Sequence, residues 1–214
     1  MKKVLSALIA VCCCGPLLAQ QQEKKIYGGF ELGSVRAADE SGKLRDELVR
    51  DLGGSATVTQ ETSESGGRIF LGYRIDEKLA IEGGVFKIQD FNVSATGRSG
   101  AGLSYTVAGT VGTQGADLSA VYFPFATKAS QDGFFLRGGA HSASVRINNT
   151  IRIGSQTASE AEKQEGWGYL FGAGYDWKIS NDVFLRASAT RLLKIAGESD
   201  NKATNYSIGI GMAF

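Results

Sequence analysis

The sequence predicts an all-β fold, an eight-stranded antiparallel up-and-down transmembrane β-barrel. Three observations predict it. Eight separate segments alternate large apolar residues with small or polar ones. The connections between them alternate between short and long. No apolar run after the first 19 residues approaches the roughly 20 residues that a membrane helix needs. A slightly negative mean hydropathy suits this architecture, because a membrane strand turns only every second side chain to lipid.

The N-terminus reads as an export signal over residues 1–19. Lys2 and Lys3 precede an apolar stretch from Val4 to Ala19, and Leu17-Leu18-Ala19 leaves a small residue before Gln20. The three cysteines, Cys12 to Cys14, all fall within it. Val11 before Cys12 is too large for a lipoprotein cleavage site, and the remainder, residues 20–214, is expected to form one barrel domain without disulfide, thiol nucleophile or thiolate metal site.

The eight segments follow in order. The first is Lys25 to Val35, with Ile26, Gly28, Phe30 and Leu32 on one face. The second is Arg68 to Ile75, with Ile69, Leu71, Tyr73 and Ile75. The third is Leu79 to Ile88, and the fourth runs from about Gly112 to Phe123. The fifth, Gly133 to Val145, carries Phe134, Leu136, Gly138 and Ala140 on one face. The sixth, Gly166 to Ile179, is the cleanest, with Trp167, Tyr169, Phe171, Ala173, Tyr175 and Trp177 on alternate positions. Its tryptophans stand about ten residues apart, one membrane crossing for a tilted strand, so Trp167, Tyr169, Tyr175 and Trp177 are expected at the two interfaces. The seventh is Val183 to Leu193. The last is YSIGIGMAF, in which Tyr206, Ile208, Ile210, Met212 and Phe214 alternate with small residues.

Short connections follow strands two, four and six, and the long ones span Arg36–Gly67, Gln89–Val111, Arg146–Glu165 and Lys194–Ala203. Short turns on one rim and long loops on the other are the habit of outer-membrane barrels. A soluble barrel with its apolar residues inward is the competing fold. It is opposed by the terminal aromatic and by the charges on the non-greasy faces. With lipid outside, the lumen receives Glu31, Arg74, Glu82, Asp117, Arg137, Asp176 and Arg186, together with His141, Ser188, Asn205 and Ser207. A barrel of eight strands is filled by its side chains, and buried charges require partners. Glu82 with Arg137 is the leading pair, shared with Arg186 or Glu31 according to register. The network is a candidate gate.

The ending YSIGIGMAF, the strand WGYLFGAGYDW, the signal segment and the loop pattern together resemble the OmpA-type and OmpX-type eight-stranded outer-membrane barrels. The resemblance covers the chain from residue 20 to its end. It implies export through the periplasm to the Gram-negative outer membrane and contact with outer-membrane lipid and lipopolysaccharide. It also implies recognition of the C-terminal strand by the barrel-assembly machinery. Its functional range is a structural element, an adhesion-type surface or a narrow channel, porin-like in the broad sense. No cofactor is implied.

Composition narrows the remaining classes. Charge is nearly balanced, with 23 Lys and Arg against 22 Asp and Glu, which argues against a nucleic-acid partner. In the first long loop Leu44, Leu48 and Leu52 recur at helical spacing among charges, so LRDELVRDL is expected to be a short amphipathic helix that covers the mouth or docks a partner. The Asp and Glu residues of that loop are read as a solvated surface. The Gly, Ser and Thr-rich second loop has no Walker lysine, and its Tyr105–Val111 part is a candidate extension of the sheet. His141-Ser142 offers the elements of a hydrolase pair, but AHSAS places Ala143 where the lipid-deacylase pattern of some eight-stranded barrels has serine, and no catalytic residue is assigned. The expected function is therefore a surface protein whose long loops meet a host or surface partner. The alternative is a narrow gated channel and, less favoured, a lipid-modifying enzyme.

Overall fold

The computed structural model describes residues 25–127 and 133–214. The export signal expected over residues 1–19 and part of the turn after the fourth membrane strand lie outside the described residues. The strands are β1 (Ile26–Ala37), β2 (Ser55–Gln60), β3 (Ser63–Arg74), β4 (Leu79–Arg98), β5 (Ser104–Tyr122), β6 (Gly133–Ile153), β7 (Gln156–Lys178), β8 (Val183–Leu193) and β9 (Lys202–Ala213). One helix, α1 (Ser41–Leu52), precedes β2, and a 3₁₀ turn occupies Ile195–Gly197.

All pairings are antiparallel, and the sheet closes through β4–β5 at one seam and β1–β9 at another. Tyr27 pairs with Ala213 and Ala37 with Ala203, so the two terminal strands complete the wall. Closure leaves no unpaired edge in hydrocarbon, where an unsatisfied backbone group is costly. The short β2 lies along β4 beyond the end of β3 and takes no part in the ring, which has eight strand positions.

The outward rows are those expected from alternation. Phe30, Leu32, Ile69, Leu71, Val85, Leu118 and Leu136 are exposed, as are Trp167, Tyr169, Phe171, Tyr175 and Trp177 on β7. Tyr206, Ile208, Ile210, Met212 and Phe214 are exposed on the last strand and at its end. Large apolar side chains left in the open in such numbers would not persist in water; they form a belt that meets lipid. Trp167 to Trp177 covers ten residue steps, which at about 3.3 Å each and a tilt near 40° is about 25 Å of membrane.

The inside is layered. Nearest the short turns, Tyr27, Phe70, Phe123 and Phe135 form a buried aromatic layer. Nearest the long connections, Val35, Ile88, Phe91, Val145, Leu170, Leu192 and Ile195 form an aliphatic one. The charged residues lie between them.

The long connections contain far more strand than expected. Past the apolar belt, β4, β5, β6 and β7 continue as a raised sheet, with β2 added along β4. A register shift between Ile88 and Phe91 marks where β4 leaves the barrel wall, and such a bulge bends a strand. Tyr105–Val111 does extend the sheet. Arg146–Glu165, expected as a connection, is instead the outer halves of β6 and β7, joined by a tight turn at Gly154-Ser155 in which Gly154 has φ 58°. Beyond Tyr169, β7 has β6 on one side and no β8 on the other, because β8 ends at Leu193. The amphipathic helix expected at Leu44–Leu52 forms as α1 and packs against β2.

Candidate functional site

Alternation within β1, β3, β4, β5, β6, β7 and β8 delivers one layer of charge to the middle of the lumen. Four carboxylates, Glu31, Glu82, Asp117 and Asp176, meet three guanidiniums, Arg68, Arg137 and Arg186, all buried. Arg74 lies lower, half-buried, 4.5 Å from the Phe123 ring centre and 5.4 Å from that of Tyr27.

Two Arg–Asp forks anchor the network. Arg186 donates from Nε and Nη2 to Asp176 at 2.7 and 2.8 Å, and from Nη1 to Glu82 Oε1 at 2.6 Å. Arg68 donates from Nε and Nη2 to Asp117 at 2.9 and 2.7 Å, and from Nη1 to Glu31 at 3.1 Å and Glu82 at 3.4 Å. Bidentate pairing of this kind fixes both plane and position. Tyr27 donates its hydroxyl to Glu82 at 2.9 Å, and Ser188 donates to Glu31 at 2.8 Å. The Arg186 guanidinium also stands 4.6 Å from the ring centres of both Phe70 and Phe135, where the ring faces favour a cation. The Arg68 guanidinium crosses Gly84, at which a Cβ would lie 2.7 Å from its Nε. Glycine at that position is therefore a steric requirement of the fork.

Arg137 is the loosest member. Its Nη1 is 3.7 Å from Glu82 and 3.9 Å from Glu31, and its only hydrogen bond among the described residues runs from Nη2 to Thr190. Glu82 and Arg137, the leading pair from sequence, lie within ion-pair reach, but the shortest contact of Glu82 is with Arg186. Sequence reasoning left Arg68 off the lumen. It sits at the outset of its expected segment, and its parity with Arg74 (68, 70, 72, 74) was the signal that places it inside.

Above this layer His141 Nε2 is 3.1 Å from the Leu193 carbonyl, and its ring meets Phe86 edge-on. Ser142, next in the strand, belongs to the opposite face, where it pairs across to Trp167. His141 thus faces a carbonyl and an aromatic ring, not a hydroxyl nucleophile. Among the described residues no group of three or more His, Cys, Asp and Glu side chains could hold a metal ion.

The outer mouth is capped rather than open. The 3₁₀ turn folds Ile195 and Ala196 inward against β7, with backbone close to Gly166. Lys194 and Ala196 take left-handed backbone conformations, φ 57° and 56°, to make that turn. Between the turn, the foot of the first long connection and the raised sheet lies an apolar cup of about 250 Å³, lined by Phe91, Val93, Val111 and Ile147 and rimmed by Glu40 and Asp200.

A lipid-facing belt, a closed eight-position ring and a charged lumen place this chain among membrane barrels, and comparison with known proteins decides which. The family model described as outer membrane protein beta-barrel domain matches residues 5–214. The chain belongs to that family. Its place is the Gram-negative outer membrane.

Among solved structures the chain resembles Ail, the attachment invasion locus protein of Yersinia pestis, at 12% identity and a TM-score of 0.50, covering 89% of this chain and 99% of that one. Ail has also been solved in complex with the heparin analogue sucrose octasulfate. Neisserial surface protein A matches at 16% identity and a TM-score of 0.41 over 88% of this chain and 97% of that one. The outer membrane protein OprG from Pseudomonas aeruginosa matches at 15% and 0.45 over 88% and 94%. At these identities the likeness is one of fold. The curated proteins contain no sequence match.

Proposed function

We propose that this outer-membrane barrel is a non-conducting surface protein, in which the wall anchors and the raised sheet with α1 does the work. The observation that carries the reading is the contrast between the two halves. The lumen is filled through its depth by an aromatic layer, a paired charge layer and an aliphatic layer. Outside, four strands spend about half their length beyond the belt and present a broad sheet of backbone and side chains. The partner is a host or neighbouring surface molecule that meets the sheet and the α1 segment. In this reading Trp167, Tyr169, Tyr175 and Trp177 hold depth at the interfaces, and the row Tyr206, Ile208, Ile210, Met212, Phe214 serves the barrel-assembly machinery during insertion.

The weak hold on Arg137 favours a second reading, a narrow gated channel whose plug loosens at that residue. Single-channel recording of the refolded barrel in a planar bilayer, beside Arg137→Ala, separates the two. A silent bilayer for both forms, with cell-surface binding lost when residues 41–60 are deleted, supports the surface protein. Discrete openings that grow in Arg137→Ala overturn it in favour of the channel.

A further inference from the structure

Three cations meet on the outer wall at the outer margin of the lipid belt, the lowest of them, Arg191, paired with Phe171 of β7. Arg36 of β1 and Arg191 of β8 both pair with Thr204 of β9, one from each side, and Lys202 stands two residues further along β9 on the same face. Neighbouring strands lie about 4.8 Å apart, so Arg36 and Arg191 flank Thr204 across roughly 10 Å. Arg191 Nη1 donates to Thr204 Oγ1 at 2.6 Å, and the Arg36 guanidinium lies 5.9 Å from the Tyr206 ring centre. None of the three has a carboxylate in ion-pair reach among the described residues. Like charges this near repel, and here they are held on three neighbouring strands with no protein anion to offset them.

Directly beneath, on the lipid side, lies a groove of about 550 Å³. The register explains its shape. Ala173, Ala189 and Tyr206 face outward in one cross-strand row, and Tyr175, Ala187 and Ile208 in the next. Alanines form the floor, while Tyr206 and Ile208 wall one side and Tyr175 and Phe134 the other. An apolar trough that opens upward onto cations matches a molecule with an acyl chain below and an anion above.

We propose that this face is a specific site for a phosphorylated glycolipid of the outer leaflet. A phosphate group sits between Arg36 and Arg191, with Lys202 above it and the Thr204 hydroxyl beside it, and one acyl chain lies in the alanine-floored groove. The commitment to a lipid, rather than a soluble phosphate, rests on the groove: a free anion has no use for it. The lipid then acts as a ligand that bridges β8, β9 and β1, the strands that close the barrel.

Native mass spectrometry of the barrel extracted from the outer membrane tests this by counting retained lipid A. The wild type is expected to keep one diphosphoryl lipid A per barrel, and to exchange it for neither its dephosphorylated form, phosphatidylglycerol nor inorganic phosphate. Arg36→Gln with Arg191→Gln should weaken retention about thirtyfold, at about fivefold per cation near an anionic lipid. Ala189→Phe fills the groove, leaves every cation in place and should also lose the lipid. Lys87→Gln with Arg146→Gln, outward-facing cations of β4 and β6 on another part of the wall, should retain it. Folding of each variant is checked by the gel shift of the unheated barrel. Wild-type retention by the folded Arg36/Arg191 double variant overturns the site, as does equal retention of phosphatidylglycerol. If the double variant does not fold, Ala189→Phe decides in the same way.

Discussion

Arg68 of β3 grips Asp117 of β5 by two hydrogen bonds of 2.9 and 2.7 Å, although β4 runs between their strands. The guanidinium reaches across because Gly84 beneath it has no side chain. Breaking one side of such a buried pair leaves an uncompensated charge. Arg68→Ala or Asp117→Ala should therefore lower stability by about 3–5 kcal/mol, whereas Arg68→Met with Asp117→Leu should lose far less. Urea unfolding of the refolded barrel, followed by tryptophan fluorescence, measures both.

The three lumen arginines should rank by how they are held. Arg186 has three charge-assisted bonds of 2.6–2.8 Å and a ring of aromatic faces, while Arg137 has ion-pair distances of 3.7 and 3.9 Å. Arg186→Ala should fall in the range of about 3–5 kcal/mol, and Arg137→Ala should cost about 1–2 kcal/mol, the value of an imperfect polar contact. Equal losses in urea titrations would contradict the ranking.

Lys194 holds a left-handed backbone with φ 57° and ψ 46°, and its side chain is exposed. A side chain other than glycine in that region carries roughly 1 kcal/mol of strain. Lys194→Gly should therefore stabilise the barrel by up to about 1 kcal/mol, less the greater freedom of glycine in the unfolded chain. Thermal unfolding in detergent should show a midpoint a few degrees higher.

Glu61, in the corner between β2 and β3, accepts hydrogen bonds from the Asn92 backbone N–H at 3.0 Å and from its side-chain amide at 2.8 Å. These bonds favour the carboxylate and hold the Glu61 carboxyl below its usual range. A lowered folded-state value stabilises above the unfolded one and loses that contribution as pH falls through the folded one. In NMR titration Glu61 should titrate below a free glutamate, and Asn92→Ala should move it upward. An unchanged midpoint in the variant would assign the shift to the backbone N–H of residue 92 alone.

The membrane-crossing part of the fold was legible because lipid imposes one rule on each strand. Tyr206 through Phe214 keeps greasy and small residues in strict alternation, Ile26–Leu32 and Ile69–Ile75 hold the same lipid-facing parity with Tyr27 and Phe70 turned inward, and parity alone sorted Glu82, Asp176 and Arg186 to the inside. The raised sheet was not legible in the same way. Beyond the belt both faces of β7 meet water, so Thr157, Ser159, Glu160 and Glu162 carry no period. The partners of Glu82 were hidden for another reason. Alternation fixes a side chain's face, whereas its neighbour across the lumen depends on the register of strands distant in sequence, such as β4 and β8.

The outer margin of β7 gives the raised sheet a social role. From Gln156 to Glu165, beyond the 3₁₀ turn that covers Gly166 and Gly168, that strand offers its backbone to any passing strand, and on a crowded cell surface the most numerous passer-by is another copy of the same chain. Glu160, Glu162, Lys163 and Glu165 line this margin, and charged edges resist zipping into a neighbour. The margin works as a fence: many copies can stand side by side on one cell, each with its own sheet, without knitting into a continuous fabric.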